Sequence, residues 1–262
     1  MNHQSAIVFN NLVTGHKTSG GYITVSGPLS AFLRCGAVTC LLGPNGAGKS
    51  TLMSTLCGFI PLIEGDIVIQ GKEMNEISPD ALSRLVSVVL TDRPKVDNMT
   101  VEMLVETGRS PYTGFWGRLS DEDRYIVAET LKIVGVTELK DRMINTLSDG
   151  ERQKVMIAKA IAQSAPIIIL DEPTAFLDYP SKVEIFSLLR TISREKNIAI
   201  LISTHDLDIA LQLADELWLL DKNLGLRCGT VHSLSSDGTI ADYFNSELME
   251  FDAPSLKFIV KK

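Results

Sequence analysis

Gly43-Pro44-Asn45-Gly46-Ala47-Gly48-Lys49-Ser50 is the stretch that decides the fold. It matches G-x-x-x-x-G-K-[ST], and it stands where that pattern has meaning. An apolar run, 38–42, precedes it, and a stripe of Leu52, Leu56 and Phe59 follows on a helix starting near Lys49. Glycines let the chain bend so that successive amides face inward as an anion nest. The helix N-terminus behind them adds partial positive charge. Such a loop holds phosphate groups. Gly43 through Ser50, with Thr51 after them, are the candidate phosphate-binding residues. Lys49 is the type of residue that reaches the β- and γ-phosphates of a nucleotide, and the Ser50 hydroxyl the type that binds Mg²⁺.

Outward from this loop, short apolar runs alternate with helix-period stretches. Runs at 38–42, 86–90, 167–171, 198–203 and 216–220 read as buried strands of a largely parallel sheet. Ile185, Leu188, Leu189 and Ile192 share one helical face, so 181–195 reads as an amphipathic helix. From about Pro94 to Ser164 helical patterns dominate. Ser120 with Asp123 is close to a capping box and precedes a stripe of Val127, Leu131 and Val134. This middle stretch reads as a helical lobe inserted between two halves of an α/β core. Ile167-Ile168-Ile169-Leu170-Asp171-Glu172 delivers two carboxylates at the C-terminal end of a strand, where ligands bind in open parallel sheets. Asp171 suits Mg²⁺. Glu172 suits the taking of a proton from, or the orienting of, an attacking water.

Composition bounds the remaining classes. The chain has 262 residues, 45% hydrophobic and 22% charged, an ordinary globular balance. Its net charge is −7 and its pI about 5.2, which argues against a nucleic-acid partner. No run approaches the roughly 18 apolar residues that span a bilayer. The N-terminus lacks the basic start and apolar core of a signal peptide. The expected location is therefore cytoplasmic, with any membrane role reached through partners. Cys35, Cys40, Cys57 and Cys228 have no metal spacing and read as small buried hydrophobes.

Three further segments narrow the family. Leu147-Ser148-Asp149-Gly150-Glu151, followed by a helix over 152–163, resembles the LSGGQ signature of ABC ATPases. Pro173-Thr174-Ala175-Phe176-Leu177-Asp178 resembles their D-loop, and Ser203-Thr204-His205-Asp206 their H-loop. The order is the family's order, and the resemblance covers roughly residues 7–232. It implies an α/β fold: a P-loop NTPase core with a mostly parallel sheet, an antiparallel β portion and an inserted α-helical subdomain. The implied division is about 1–93 and 165–232 for the core, about 94–164 for the helical lobe and about 233–262 for a C-terminal extension. It also implies ATP and Mg²⁺ as cofactors, with Glu172, His205 and Lys49 catalytic. In this family Ser148 and the Gly150 amide bind the γ-phosphate held by the opposite subunit. A homodimer sandwiching two nucleotides is then the working unit.

The sequence departs from the family at two places. The family's Gln after the next strand is replaced here by Thr91-Asp92-Arg93, and Thr91 or Asp92 is the candidate to take over its Mg²⁺ contact. Asp149 stands where the signature has Gly. A carboxylate there would repel a γ-phosphate unless it faces away and favours the helix start. For the adenine ring, His16 of Gly15-His16 is the favoured stacking partner, with 17–21 a small insertion and Tyr22 the competing ring.

The stretch Gly108-Arg109-Ser110-Pro111-Tyr112, then Gly117-Arg118-Leu119-Ser120-Asp121-Glu122-Asp123, resembles the helical lobe of ATPases that serve iron–siderophore, haem and cobalamin importers. The plain alternative is a loop–helix junction with Arg109, Tyr112 and Arg118 exposed. The resemblance implies transmembrane permease subunits as partners, a substrate-binding protein acting through them, and a peripheral seat on the inner face of the membrane. An exporter ATPase and a soluble ABC ATPase are the competing readings.

Overall fold

The computed structural model describes residues 5–90, 98–175 and 177–261. The phosphate-loop strand lies at the centre of a six-stranded sheet. In chain order the strands are β1 (Ser5–Thr18), β2 (Gly21–Arg34), β3 (Val38–Leu42), β4 (Glu64–Ile69), β5 (Lys72–Glu73), β6 (Val86–Val89), β7 (Ile167–Asp171), β8 (Ala199–Ser203), β9 (Glu216–Asp221), β10 (Gly225–Gly229), β11 (Met249–Asp252) and β12 (Lys257–Val260). The helices are α1 (Lys49–Leu56), α2 (Pro79–Leu85), α3 (Val101–Glu106), α4 (Asp121–Val134), α5 (Asp149–Ala162), α6 (Tyr179–Lys196), α7 (Leu207–Leu213), α8 (Val231–Ser236) and α9 (Thr239–Phe244).

The six-stranded sheet runs β10-β9-β3-β8-β7-β6, parallel throughout except for the β9–β10 pair. Its strands are apolar runs because both faces are covered. Period-two alternation divides each strand between two cores. Val38, Cys40, Leu42, Ile168, Leu170, Ile200, Ile202, Leu217 and Leu219 face the core shared with α3–α7. Leu41, Ile167, Ile169, Ala199, Leu201, Trp218 and Leu220 face the core shared with α1 and the second sheet. That sheet, β2-β1-β4-β5, is antiparallel, and Phe9 of β1 meets Trp218 edge-on at 5.5 Å. Each fully buried Leu or Ile contributes about 1.5–3 kcal/mol.

The helices α3, α4 and α5 pack against one another. Ser120 caps α4 in a full capping box with Asp123, and Val127, Leu131 and Val134 are buried. Several expectations need correction. Helix α1 ends at Leu56, and Phe59 is exposed beyond it rather than completing its stripe. The strand read as 86–90 stops at Val89, and Leu90 is exposed. Residues 17–21, read as a small insertion, form the tip of the β1–β2 hairpin. Cys40 and Cys57 are buried as expected, but Cys35 is half-buried and Cys228 exposed. The C-terminal stretch folds as α8, α9 and the β11–β12 hairpin, joined by a cluster of Phe244, Phe251 and Phe258. Among the described residues no helix is long and apolar enough to cross a membrane.

Candidate active site

Three adjacent parallel strands, β3, β8 and β7, end on one edge of the sheet. The loops leaving them carry most of the candidate residues, as expected for a parallel sheet. After β3 comes the phosphate loop. A side chain at Gly43 would meet the Leu220 carbonyl oxygen at 2.1 Å, so only glycine fits. Gly48 caps α1 with φ 104°, in the region glycine occupies without strain. The loop turns at Ala47, whose amide donates to the Pro44 carbonyl at 3.2 Å. Pro44, Asn45, Gly46 and Ser50 are exposed, whereas Lys49 is buried. The Lys49 ammonium donates to the carbonyls of Gly43 at 2.7 Å and Pro44 at 3.3 Å. Burial holds its pKa below the ordinary lysine value, and the charges of Glu172 and Asp171 oppose that shift. Thr51 lies in the first turn of α1, where its carbonyl accepts from Thr55.

Asp171 ends β7 and Glu172 follows it. Asp171 has the parity of Ile167 and Ile169, so it projects to the α1 side of the sheet. Its charge helps burial push the Cys57 thiol up to about 12. Glu172 leaves the strand with φ 48°, a left-handed conformation costly for a residue with a Cβ. Its carboxylate Oε1 lies 2.6 Å from His205 Nε2, the position of a hydrogen bond donated by the imidazole. Both side chains are part-exposed, 27% and 44%.

After β8 come Thr204, His205 and Asp206. The Thr204 amide donates to Leu41, tying this loop to β3. Asp206 caps α7 and pairs with Lys182 of α6 at 2.9 Å, which fixes the turn carrying His205. A cavity of about 430 Å³ opens beside Glu172 and His205, with Met249 and Phe258 of the C-terminal hairpin on its far wall.

Ser203, the last residue of β8, entered the sequence reading only as the first residue of the H-loop segment, with no role of its own. It is fully buried and lies opposite Asp171 in register. Its hydroxyl donates to Asp171 Oδ1 at 2.5 Å and accepts from the Glu172 amide at 2.8 Å. A serine at the end of an apolar strand has no signature of its own. Only the register reveals it.

The structure brings Lys49, Asp171, Glu172 and His205 to one edge. It places the signature elsewhere, at the start of α5 in the helical lobe. Ser148 caps that helix in a reciprocal box with Glu151, which also pairs with Arg142 at 3.2 Å. Hydrogen bonds from the Ser148 amide and hydroxyl are the main reason the Glu151 carboxyl stays below its usual range. Asp149 is exposed in the first turn of α5. A side chain at Gly150 would lie 3.9 Å from Leu177 of the D-loop segment. His16 and Tyr22 are both exposed on the hairpin, in the successive cross-strand pairs His16↔Ile23 and Lys17↔Tyr22, and so point to opposite faces. A register shift at Val25 lets Val25 and Ser26 both lie against Gly48, which brings this hairpin to the phosphate loop. Thr91 and Asp92 lie outside the described residues.

Ser50 and Asp171 offer hydroxyl and carboxylate oxygens, the donor set a hard cation such as Mg²⁺ takes. Among the described residues no cluster of three His, Cys, Asp or Glu forms a metal cage.

Comparison with known proteins agrees with this geometry. The family model described as ABC transporter matches residues 27–175. An uncharacterised ABC transporter ATP-binding protein of Methanocaldococcus jannaschii is 41% identical over 80% of this chain and 71% of its own length. The iron(3+)-hydroxamate import ATP-binding protein of Bacillus subtilis is 34% identical over 80% of this chain and 78% of its own. A dimeric structure of a bacterial ABC transporter cassette superposes with a TM-score of 0.74 at 25% identity, over 86% of this chain and 98% of that one. The chain thus belongs to the ABC transporter family, as one of its ATP-hydrolysing cassettes.

Proposed function

We propose that this cassette drives an importer of iron–siderophore, haem or cobalamin-type cargo, hydrolysing ATP as a homodimer beneath two permease subunits. Its division into core, helical lobe at about 94–164 and C-terminal extension is part of this reading. The observation that carries the chemistry is the Glu172–His205 contact of 2.6 Å at the strand ends beside the phosphate loop. The direction of transport rests on the 108–120 segment and on the likeness to an iron-hydroxamate import protein.

The phosphate-loop amides and Lys49 hold the β- and γ-phosphates. Ser50 and Asp171 are the described residues that would hold Mg²⁺, which supplies charge neutralisation at the phosphate oxygens. Glu172 takes a proton from water as its oxygen attacks the γ-phosphorus and the bond to ADP breaks. His205, beside Glu172, contacts the γ-phosphate and helps position that water. Ser148 and Gly150 serve the nucleotide of the partner copy, consistent with their place on a separate lobe. His16 or Tyr22 stacks on adenine. A substrate-binding protein delivers cargo to the permease, and the cassette sits on the cytoplasmic face of the membrane.

Uptake by a strain lacking this gene tests the assignment. Ferric siderophores, haem and cobalamin are offered as a labelled panel, with wild type and Glu172→Gln restored from plasmids. Loss of one cargo, recovered by wild type alone, names the substrate. Unchanged uptake across the panel removes the importer assignment and leaves an exporter or a soluble ATPase.

A further inference from the structure

We infer that Ser203 is a positioning residue for both carboxylates of the hydrolytic site. Its one hydrogen has a single destination. The hydroxyl accepts the Glu172 N–H at 2.8 Å, which leaves its own proton to Asp171 Oδ1 at 2.5 Å, the length of a charge-assisted bond. The rotor is fixed from both sides and is fully buried at the end of β8. Parity places Ser203 with Ala199 and Leu201 on the α1 face of the sheet, the face to which Asp171 also projects.

Two consequences follow from one oxygen. The Asp171 carboxylate is held in one rotation, as the outer partner of a metal ligand holds its ligand. The Glu172 amide is held while its residue occupies φ 48°, so the left-handed turn that aims Glu172 at His205 is fastened at its start. Ser203 touches no reacting atom in this account. It acts through Asp171 and Glu172.

The test compares Ser203→Ala, which removes only the oxygen, with Ser203→Thr, which keeps it. Binding of a fluorescent ATP analogue without Mg²⁺ checks folding and the phosphate loop, and is expected to match wild type in both variants. In Ser203→Ala the Mg²⁺ concentration for half-maximal ATPase rises about tenfold and kcat falls about tenfold, with KM for ATP within about twofold. Hydrogen exchange at the Glu172 amide, read in nucleotide-free and metal-free protein, accelerates about tenfold once its acceptor is gone. Ser203→Thr restores each value. Wild-type Mg²⁺ dependence and wild-type exchange in Ser203→Ala overturn the inference. So does equal impairment of both variants, which would make the site a matter of packing, or failure of Ser203→Ala alone to bind the analogue.

Discussion

Arg109 is a buried cation whose bonds end on α4, on the last residue of α5 and on the loop after it. Its guanidinium meets Asp123 of α4 at 2.8 Å, the Ala162 carbonyl of α5 at 2.7 Å and the Ser164 hydroxyl at 3.0 Å, and it covers the Tyr112 ring at 4.1 Å. Sequence reading offered it either as part of a family motif or as an exposed residue. The second reading is wrong for Arg109 and right for Arg118. A charged letter does not announce its burial, because burial depends on partners 14 and 53 positions away. Arg109→Ala would leave the Asp123 carboxylate with only its Ser120 hydrogen bonds, at a cost of about 1.5–3 kcal/mol of stability, read by chemical denaturation. A loss below about 1 kcal/mol would contradict the geometry. Asp123 gives a pH prediction. Burial raises its pKa, but hydrogen bonds from Ser120 and then Arg109 outweigh burial and leave it lowered. Its contribution is therefore full above the unfolded carboxylate value of about 4 and lost as pH falls through the folded one. Tm measured down the acid limb is expected to fall less steeply in Asp123→Asn than in wild type.

At the scale of elements, the parallel strands were legible because both faces are apolar, and each was located to within a residue at its ends. The long β1–β2 hairpin was not. Its alternation is interrupted by register shifts at Ser5/Ile7, Phe9/Leu12, Leu12/Thr14 and Thr14/Gly15, so no window shows a clean period of two. The start of α5 was legible through Ser148, but the reciprocal role of Glu151 makes the cap stronger than the signature alone implied. Two substitutions separate cap from signature. Glu151→Ala and Ser148→Ala should each cost about 1 kcal/mol in thermal unfolding, since each breaks the box. Only Ser148→Ala should also weaken ATP-driven dimerisation in light scattering beyond what that stability loss explains. Equal dimerisation in the two variants would confine Ser148 to capping. Asp149→Gly tests the other departure: a tenfold gain in ATP-driven dimerisation would show that its carboxylate does face the phosphate.

At the scale of the whole molecule, the order of motifs was enough to place phosphate loop, carboxylates and His205 on one sheet edge, because β3, β8 and β7 are neighbours. It could not foretell that the C-terminal hairpin reaches the same edge, where Met249 and Phe258 wall the cavity beside Glu172. That packing depends on Phe251, buried against Phe258. Phe251→Ala is expected to cost about 3 kcal/mol in denaturant unfolding. The signature begins α5, away from the strand ends that carry Glu172 and His205, an arrangement that suits the proposed sharing of each nucleotide between two copies.

The central claim is that Glu172 performs the hydrolysis and that ATP closes the dimer. It is tested most directly by Glu172→Gln with Mg²⁺ and ATP, following phosphate release and molar mass in the same sample. The account predicts ATP binding as in wild type, a turnover slowed by about 10²–10⁴-fold and a mass that doubles and persists. Phosphate release at the wild-type rate from a monomeric variant would contradict it.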